Sequence, residues 1–401
     1  MSRVVLSDLV AGIEPSPTEE TSSLANTLKR QGVDVISFAQ GEPDFDTPNY
    51  IKKAAIEAIN EGFTKYTDVG GIIDLKETVV EKLKRQNNLE YDISEVIIGN
   101  GGKQLLYEAF ATLCNPGDEV LIPTPCYVSY ADQIRLTGAR AVFVPTTEKN
   151  EFIPRLEDVQ KLWNPKVKVF VINSPCNPTG AVFPQKETKR IMDFLIENET
   201  FIITDEVYEY LLYNGAKHIS PAALDPRYKP WCVVVNSLSK TYAMTGWRIG
   251  YAAGPKEIIN GMNSLQGHLS GNVNSIAQKA AVEALSGPQD DIARMVEEYA
   301  KRKEYMVNRI NAIEGLSCIE PKGAFYVFAK VKDLFGRTYE GKKLESDKDI
   351  ANFFLKAAHV AVVPGIAFAY EGYVRFVFAK SLEVIKEGLD RIERAIISEL
   401  E

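Results

Sequence analysis

The chain of 401 residues is poor in metal ligands and in paired cysteines. Its three histidines, His218, His268 and His359, fall in neither an HxxxH nor an HExxH spacing, which argues against a zinc hydrolase. Its five cysteines, Cys114, Cys126, Cys176, Cys232 and Cys318, are odd in number, and none is paired at metal-ligand spacing. Such usage points to buried thiols in a reducing compartment, not to a disulfide framework. No metal is therefore expected. No apolar run approaches the roughly 20 residues that span a bilayer, and the stretch from Met1 to Asp8 lacks the apolar core of a signal peptide. The expectation is a cytoplasmic protein. An excess of positive charge is missing too. The net charge is −8, and no basic cluster is longer than Lys301-Arg302-Lys303. That run lies in a helical pattern and reads as a solvated face, so neither a nucleic acid nor a membrane is an expected partner.

The remaining composition, 45% apolar and 25% charged, is that of a globular protein too long for one ordinary core. Short β-branched runs occur at 96–98, 119–122, 141–144, 167–172, 201–204, 233–235 and 249–252. Helical patterns separate several of them, as around Ile191, Phe194 and Leu195. This alternation predicts an α/β fold: a large domain, 48–287, with a mostly parallel seven-stranded sheet sandwiched by helices. After Ser286 the texture changes. A long stripe runs through Ile292, Met295, Val296, Tyr299, Met306, Ile310 and Ile313, followed by strand-like segments at 324–329 and 373–379. These predict a smaller α+β domain, 288–401, joined by the N-terminal segment 1–47. Residues 341–347 read as an exposed insertion.

Lys240 stands out by its setting. An apolar strand, Val233-Val234-Val235, runs into Asn236-Ser237-Leu238-Ser239-Lys240, and Arg248 follows eight positions later. A lysine taken out of water loses basicity and becomes an amine nucleophile able to form Schiff bases with carbonyl compounds. Alone, the segment fits a surface loop lysine equally well. Three other strand ends carry suggestive groups. Gly99-Asn100-Gly101-Gly102-Lys103-Gln104 is neither GxGxxG nor a nucleotide-triphosphate loop, but it precedes a helix pattern at 105–113. Its amides suit an anion, or else form only a tight turn. Asn173-Ser174-Pro175-Cys176-Asn177-Pro178-Thr179-Gly180 forms a rigid loop suited to presenting Asn177, and either proline bond can be cis. Asp205, with Tyr208 after it, closes an apolar strand, where a carboxylate is costly without a cationic partner. Ligands of open parallel sheets bind beyond the carboxyl ends of the strands. Gly101, Asn177, Asp205 and Lys240 all sit at such ends.

On these motifs the chain resembles the class I aminotransferases of the fold-type I pyridoxal-phosphate enzymes, in particular the aspartate and aromatic aminotransferases of bacteria and archaea. The resemblance runs from Phe38-Ala39-Gln40-Gly41-Glu42-Pro43-Asp44-Phe45 to Tyr373-Val374-Arg375-Phe376 and is most specific at Asn177-Pro178-Thr179-Gly180, Asp205-x-x-Tyr208 and Ser237-x-x-Lys240 with Arg248. It implies pyridoxal 5′-phosphate as cofactor and a homodimer with sites at the subunit interface. Lys240 resembles the lysine that holds the cofactor covalently and carries the α-proton. Asp205 resembles the carboxylate that keeps the pyridine nitrogen protonated, and Tyr208 and Asn177 the pair on the ring oxygen. Gly101, Gly102 and Lys103, with Ser237 and Arg248, resemble the phosphate cradle. Tyr127 resembles the aromatic stacked on the ring, and Tyr66 the tyrosine that reaches the phosphate from the neighbouring subunit. Gly41 and Arg375, with Tyr127 and Asn177, match the group around the substrate, where an arginine fork suits the α-carboxylate.

Lys103 also resembles the lysine of the aspartate-using branch, which meets a second carboxylate. Prephenate-using members carry an arginine shortly after the first Leu-Ser, whereas Leu6-Ser7 is followed here by Asp8-Leu9. The expected reaction is aspartate with 2-oxoglutarate, giving oxaloacetate and glutamate by a ping-pong cycle. The alternatives are an aromatic or kynurenine aminotransferase, or a β-lyase on the same scaffold. A non-catalytic regulator would usually carry a basic helix-turn-helix, and no such segment fits ahead of Gly41.

Overall fold

The computed structural model describes residues 6–13 and 15–401; the reading of Met1 to Val5 as lacking a signal core lies outside the described residues. Seven strands form the main sheet: β1 Val96–Gly99, β2 Glu119–Thr124, β3 Arg140–Pro145, β4 Val167–Asn173, β5 Phe201–Asp205, β6 Cys232–Ser237 and β7 Gly250–Ala253. Their order is β1-β7-β6-β5-β4-β2-β3, and β7 runs antiparallel to both of its neighbours. The remaining pairs are parallel, with Asn173 beside Asp205 and Asp205 beside Val235. The predicted strands are thus present, each extended by one to three residues or shifted by one.

Apart from the largely exposed edge strand β3, the strands are apolar and buried on both faces, as a sheet covered on both sides requires. Val169, Val171, Ile203, Val233 and Val235 meet helices Gly102–Leu113 and Lys256–Leu269 on one face. Phe170, Ile172, Ile202 and Val234 meet helices Ile73–Asn87, Gln185–Glu197 and Ser275–Ser286 on the other. The first of these helices starts at Gly102, three residues before the predicted start, because Gly101 takes φ +82° as its N-cap.

A second core gathers the long helix Asp290–Ala312, helix Asp347–Ala357 and helix Leu382–Glu399 around β8 Tyr326–Lys330, β9 Val363–Pro364 and β10 Tyr373–Val377. These strands form an antiparallel sheet in the order β9-β10-β8. The N-terminal segment joins it: Ile36 and Ser37 pair in parallel with Val360 and Ala361, and Val377 N donates to Phe38 O at 3.1 Å.

Two sequence expectations fail here. Of Lys301-Arg302-Lys303, only Lys301 is solvated. Arg302 Nη1 donates to both Asp44 oxygens at 2.8 Å, and Lys303 Nζ reaches Glu320 at 2.5 Å. Their long stems lie buried while the charged ends meet carboxylates, so charge alone misled the reading. Residues 341–347 are likewise not wholly exposed. Thr338–Tyr339 and Lys342–Lys343 form a small hairpin, Leu344 is buried, and Asp347 Oδ2 accepts from Ile366 N and Gly372 N, both at 3.0 Å.

All five cysteines are free and buried. Beneath the sheet end, Lys82 lies 1% exposed and pairs with Glu209, which also accepts from Asn87 Nδ2 at 2.8 Å and Asn236 Nδ2 at 2.6 Å. Removing one member of a buried pair leaves a charge without a partner. Lys82→Met is expected to cost about 3–5 kcal/mol in urea unfolding, and adding Glu209→Gln should recover part of that loss.

Candidate active site

The carboxyl ends of β4, β5 and β6 and the start of helix Gly102–Leu113 open into a cavity of about 740 Å³. Lys240, Asp205, Tyr208, Asn177, Ser237, Arg248, Gly102, Lys103, Tyr127, Gly41 and Arg375 all line it. The chain thus brings these expected residues together from positions 41 to 375. Two others stand apart. Gly101 lies just outside the wall, where a Cβ would come within 2.6 Å of Arg248 Nη2. Tyr66 is 97% exposed and lines no part of this cavity.

Lys240 follows β6 in the short helix Leu238–Thr241. Its Nζ donates to Gly41 O at 2.6 Å. Burial pushes its pKa down from 10.5 to about 8; Glu42 opposes this, and Arg375, Arg248 and Lys103 reinforce it. The lysine therefore has the lowered basicity that an amine nucleophile needs.

Asp205, at the end of β5, is 4% exposed. Burial pushes its carboxyl up to about 6, against the pull of the Tyr130 hydroxyl, which donates to Oδ2 at 2.5 Å. Among the described residues it has no ion-pair partner within 4 Å, so a cation in the cavity would favour its charged form.

Arg375 presents the complementary deficit. It is 2% exposed, and no carboxylate among the described residues pairs with it. Nη1 donates to Asn177 Oδ1 at 2.9 Å and Nη2 to Ala39 O at 2.5 Å, while buried Nε has no partner. Burial lowers its pKa. A planar fork with unused donors beside an open cavity is suited to a carboxylate.

The third demand is for an anion. The first amides of helix Gly102–Leu113 have no intrahelical acceptor. Ser237 Oγ and Arg248 stand beside that turn, with Arg248 held by Thr245 O at 3.0 Å and Asn100 O at 3.2 Å. The rigid loop after β4 contains two cis bonds, Ser174-Pro175 and Asn177-Pro178. Asn177 N bonds Asn173 Oδ1 at 2.8 Å, which leaves its side chain for Arg375. A lysine for a carbonyl, a carboxylate for a ring cation and an amide turn with serine and arginine for a phosphate fit pyridoxal phosphate. Lys103 has an exposed side chain with no ion pair among the described residues, while its carbonyl accepts from Gln133 Nε2 at 2.7 Å.

The sequence reading missed Tyr130, Tyr326, Glu42 and the polar residues of helix Pro17–Arg30 that line the cavity, among them Thr18, Ser22 and Asn26. A second tyrosine three positions after Tyr127 was the available signal for Tyr130. Tyr326 sits in an apolar run and is indistinguishable there from core. Behind the site, Glu206, Glu209 and His218 bring possible metal-ligand atoms within 4.8 Å of one another. Their oxygens are already engaged: Glu206 by Thr204, Ser220 and His218, and Glu209 by Lys82, Asn87 and Asn236.

The family model described as aminotransferase class I and II matches residues 33–392. The chain is 44% identical over 391 residues to a probable aspartate/prephenate aminotransferase of Rhizobium leguminosarum bv. phaseoli, covering 97% of this chain and 98% of that one. It is 40% identical to an aspartate aminotransferase of Bacillus sp. (strain YM-2), covering 98% and 99%. Among solved structures, the aspartate aminotransferase from Rhizobium meliloti superposes with a TM-score of 0.95 at 37% identity, covering 100% of both chains. The aromatic aminotransferase from Pyrococcus horikoshii OT3 gives 0.86 at 39% identity, covering 93% and 98%.

The lowered basicity of Lys240 has a direct readout. In protein freed of small molecules, labelling of Lys240 by an amine-acylating reagent should rise with pH around a midpoint of about 8, against 10.5 for a solvated lysine. Peptide mass mapping across pH 6 to pH 11, with pH as the set variable, measures that midpoint.

Proposed function

Because the chain belongs to the class I and II aminotransferases, we propose that it exchanges amino groups between aspartate and 2-oxoglutarate in a ping-pong cycle on pyridoxal 5′-phosphate. One observation carries this reading: the cavity joins an amine of lowered basicity with a buried carboxylate that lacks a cation and a buried guanidinium that lacks an anion among the described residues. The relatives named for aspartate and the unpaired Lys103 at the cavity support the choice of amino acid.

Pyridoxal phosphate, when bound, supplies a carbonyl for the amino group and an electron-withdrawing ring. The amides of Gly102 and Lys103, with Ser237 and Arg248, hold its phosphate. Asp205, steadied by Tyr130, keeps the ring nitrogen protonated. Tyr208 and Asn177 hydrogen-bond the ring oxygen, and Tyr127 covers the ring face. Arg375 and Gly41 hold the substrate α-carboxylate, and Lys103 meets a second carboxylate. Lys240 Nζ, beside Gly41, takes the proton from the substrate α-carbon and returns it; at pH above about 8 the amine is mostly neutral and competent for that step.

The exposure of Tyr66 supports a homodimer in which Tyr66 of each subunit completes the other's phosphate site. The divisions at 47 and 287 then separate a small domain bearing Arg375 from a large one bearing Lys240. Among the described residues no helix is long and apolar enough to cross a membrane, and the free buried thiols are compatible with a cytoplasmic location.

Lys240→Ala should abolish transamination; full activity in that variant would overturn the mechanism. Steady-state assays with aspartate, tyrosine, kynurenine, cystathionine and prephenate test the substrate. Aspartate is expected to lead and prephenate to be poor. An aspartate kcat/KM more than about a hundredfold below that of tyrosine, about 2.7 kcal/mol, would replace the aspartate reading with the aromatic one. Mixed dimers of Lys240→Ala and Tyr66→Ala subunits should regain one intact site in two, against low activity in either parent.

A further inference from the structure

Tyr326 lies on β8 in the smaller domain and is 1% exposed, with its side chain in the wall of the cavity. Its hydroxyl is 2.6 Å from that of Tyr208, which follows β5 in the large domain. The rings meet edge to face, with centroids 5.6 Å apart. The Arg375 guanidinium sits over the face of Tyr326, 4.5 Å from its centroid. On the third side is Gly41, where a Cβ would fall 2.3 Å from the Tyr326 oxygen. Tyr326 therefore touches the proposed ring-oxygen donor, the proposed carboxylate fork and the chain that accepts from Lys240.

Each hydroxyl has one proton. Among the described residues, Tyr208 is the only hydrogen-bond partner of the Tyr326 hydroxyl, and the reverse also holds. Burial raises the pKa of both, so both stay protonated. If Tyr208 donated to Tyr326, the free proton would be that of Tyr326, and Tyr208 would have none left for an acceptor in the cavity. If Tyr326 donates to Tyr208, the Tyr208 proton is free for that acceptor, which is the direction that the proposed role of Tyr208 requires. We propose that Tyr326 is a positioning residue: its hydroxyl directs the Tyr208 proton into the cavity, and its ring supports Arg375. This rests on the cofactor reading above, in which the acceptor is the ring oxygen. It adds that one residue of the smaller domain sets both the cofactor's protonation and the hold on the α-carboxylate.

Donation to an anionic oxygen stabilises the more negative form of the bound group, so weaker donation raises its titration midpoint. Tyr326→Phe keeps the ring under Arg375 and removes only the donor. In the cofactor-loaded protein, the midpoint read from absorbance against pH should rise by about one pH unit. The same change in a Tyr208→Phe background should give no further rise, because the route through Tyr208 is already broken. Tyr326→3-fluorotyrosine, a stronger donor of nearly the same size, should lower the midpoint instead. Tyr326→Leu should raise KM for the amino donor about tenfold, whereas Tyr326→Phe should leave it within about twofold. Tyr326→Phe with an unchanged midpoint, or with equal shifts in both backgrounds, overturns the proposal. Failure of the unaltered protein to take up pyridoxal phosphate at all overturns the cofactor reading instead.

Discussion

A buried positive charge with no counter-ion among the described residues is the constraint around which the site is arranged. Arg375 is held by a carbonyl, an amide oxygen and two aromatic faces, Tyr326 and Phe368, at 4.5 and 5.0 Å. These contacts offset part of the burial cost without supplying a counter-ion. A carboxylate built in beside it would stabilise the empty protein and compete with any anionic ligand. The fold instead assembles neutral partners from distant places. Ala39 comes from the N-terminal segment, Asn177 from the loop after β4 and Tyr326 from β8. The pairing of Ile36 and Ser37 with Val360 and Ala361 fixes the first of these against the second core. A contact spanning 336 residues is thus set by ordinary strand pairing.

The negative side is built by alternation. Asp205 and Glu206 are neighbours in sequence, so the end of a strand sends them to opposite sides. Asp205 faces the cavity and Tyr130, whereas Glu206 turns away to Thr204, Ser220 and His218. Three residues later Glu209 engages Lys82, Asn87 and Asn236. Asn236 Oδ1 then accepts from Ser237 N at 2.7 Å. The loop bearing Tyr208 and the turn bearing Ser237 and Lys240 are therefore tied to one buried carboxylate. Satisfied networks of this kind fix geometry because each member is costly to leave unpaired.

The sheet was legible because strands buried on both faces appear as uninterrupted apolar runs, and the polar groups ending them stand at the same rim. Asn177, Asp205 and Lys240 could be placed together from that pattern alone, and resemblance supplied Arg375. Charge was a poorer guide than apolarity. Arg302 and Lys303 look like a solvated face in sequence, yet each has a distant carboxylate partner that spacing does not reveal. Tyr326 was invisible for the opposite reason: a tyrosine in an apolar run has the pattern of core, and only its hydroxyl's partner distinguishes it. Tyr66 belongs to a question that one chain cannot pose, since its proposed site lies on a second copy.

The two ends of the cavity differ in how strongly they can select. Arg375 is dry, and a charge pair formed there is strong because water does not compete for it. Lys103 is exposed, and an ion pair that stays wet contributes no more than about 1 kcal/mol, roughly fivefold in affinity. On the proposed function, the Arg375 end would therefore select amino acids as a class, and the Lys103 end would select among them only weakly while water reaches it. A strong preference for a second carboxylate requires that Lys103 lose its water when substrate is bound. Thr18, Ser22 and Asn26 of helix Pro17–Arg30 line the same cavity, so that helix is the element whose approach would exclude solvent there. Selectivity on that proposal would be set less by the charge of Lys103 than by how completely its surroundings dry.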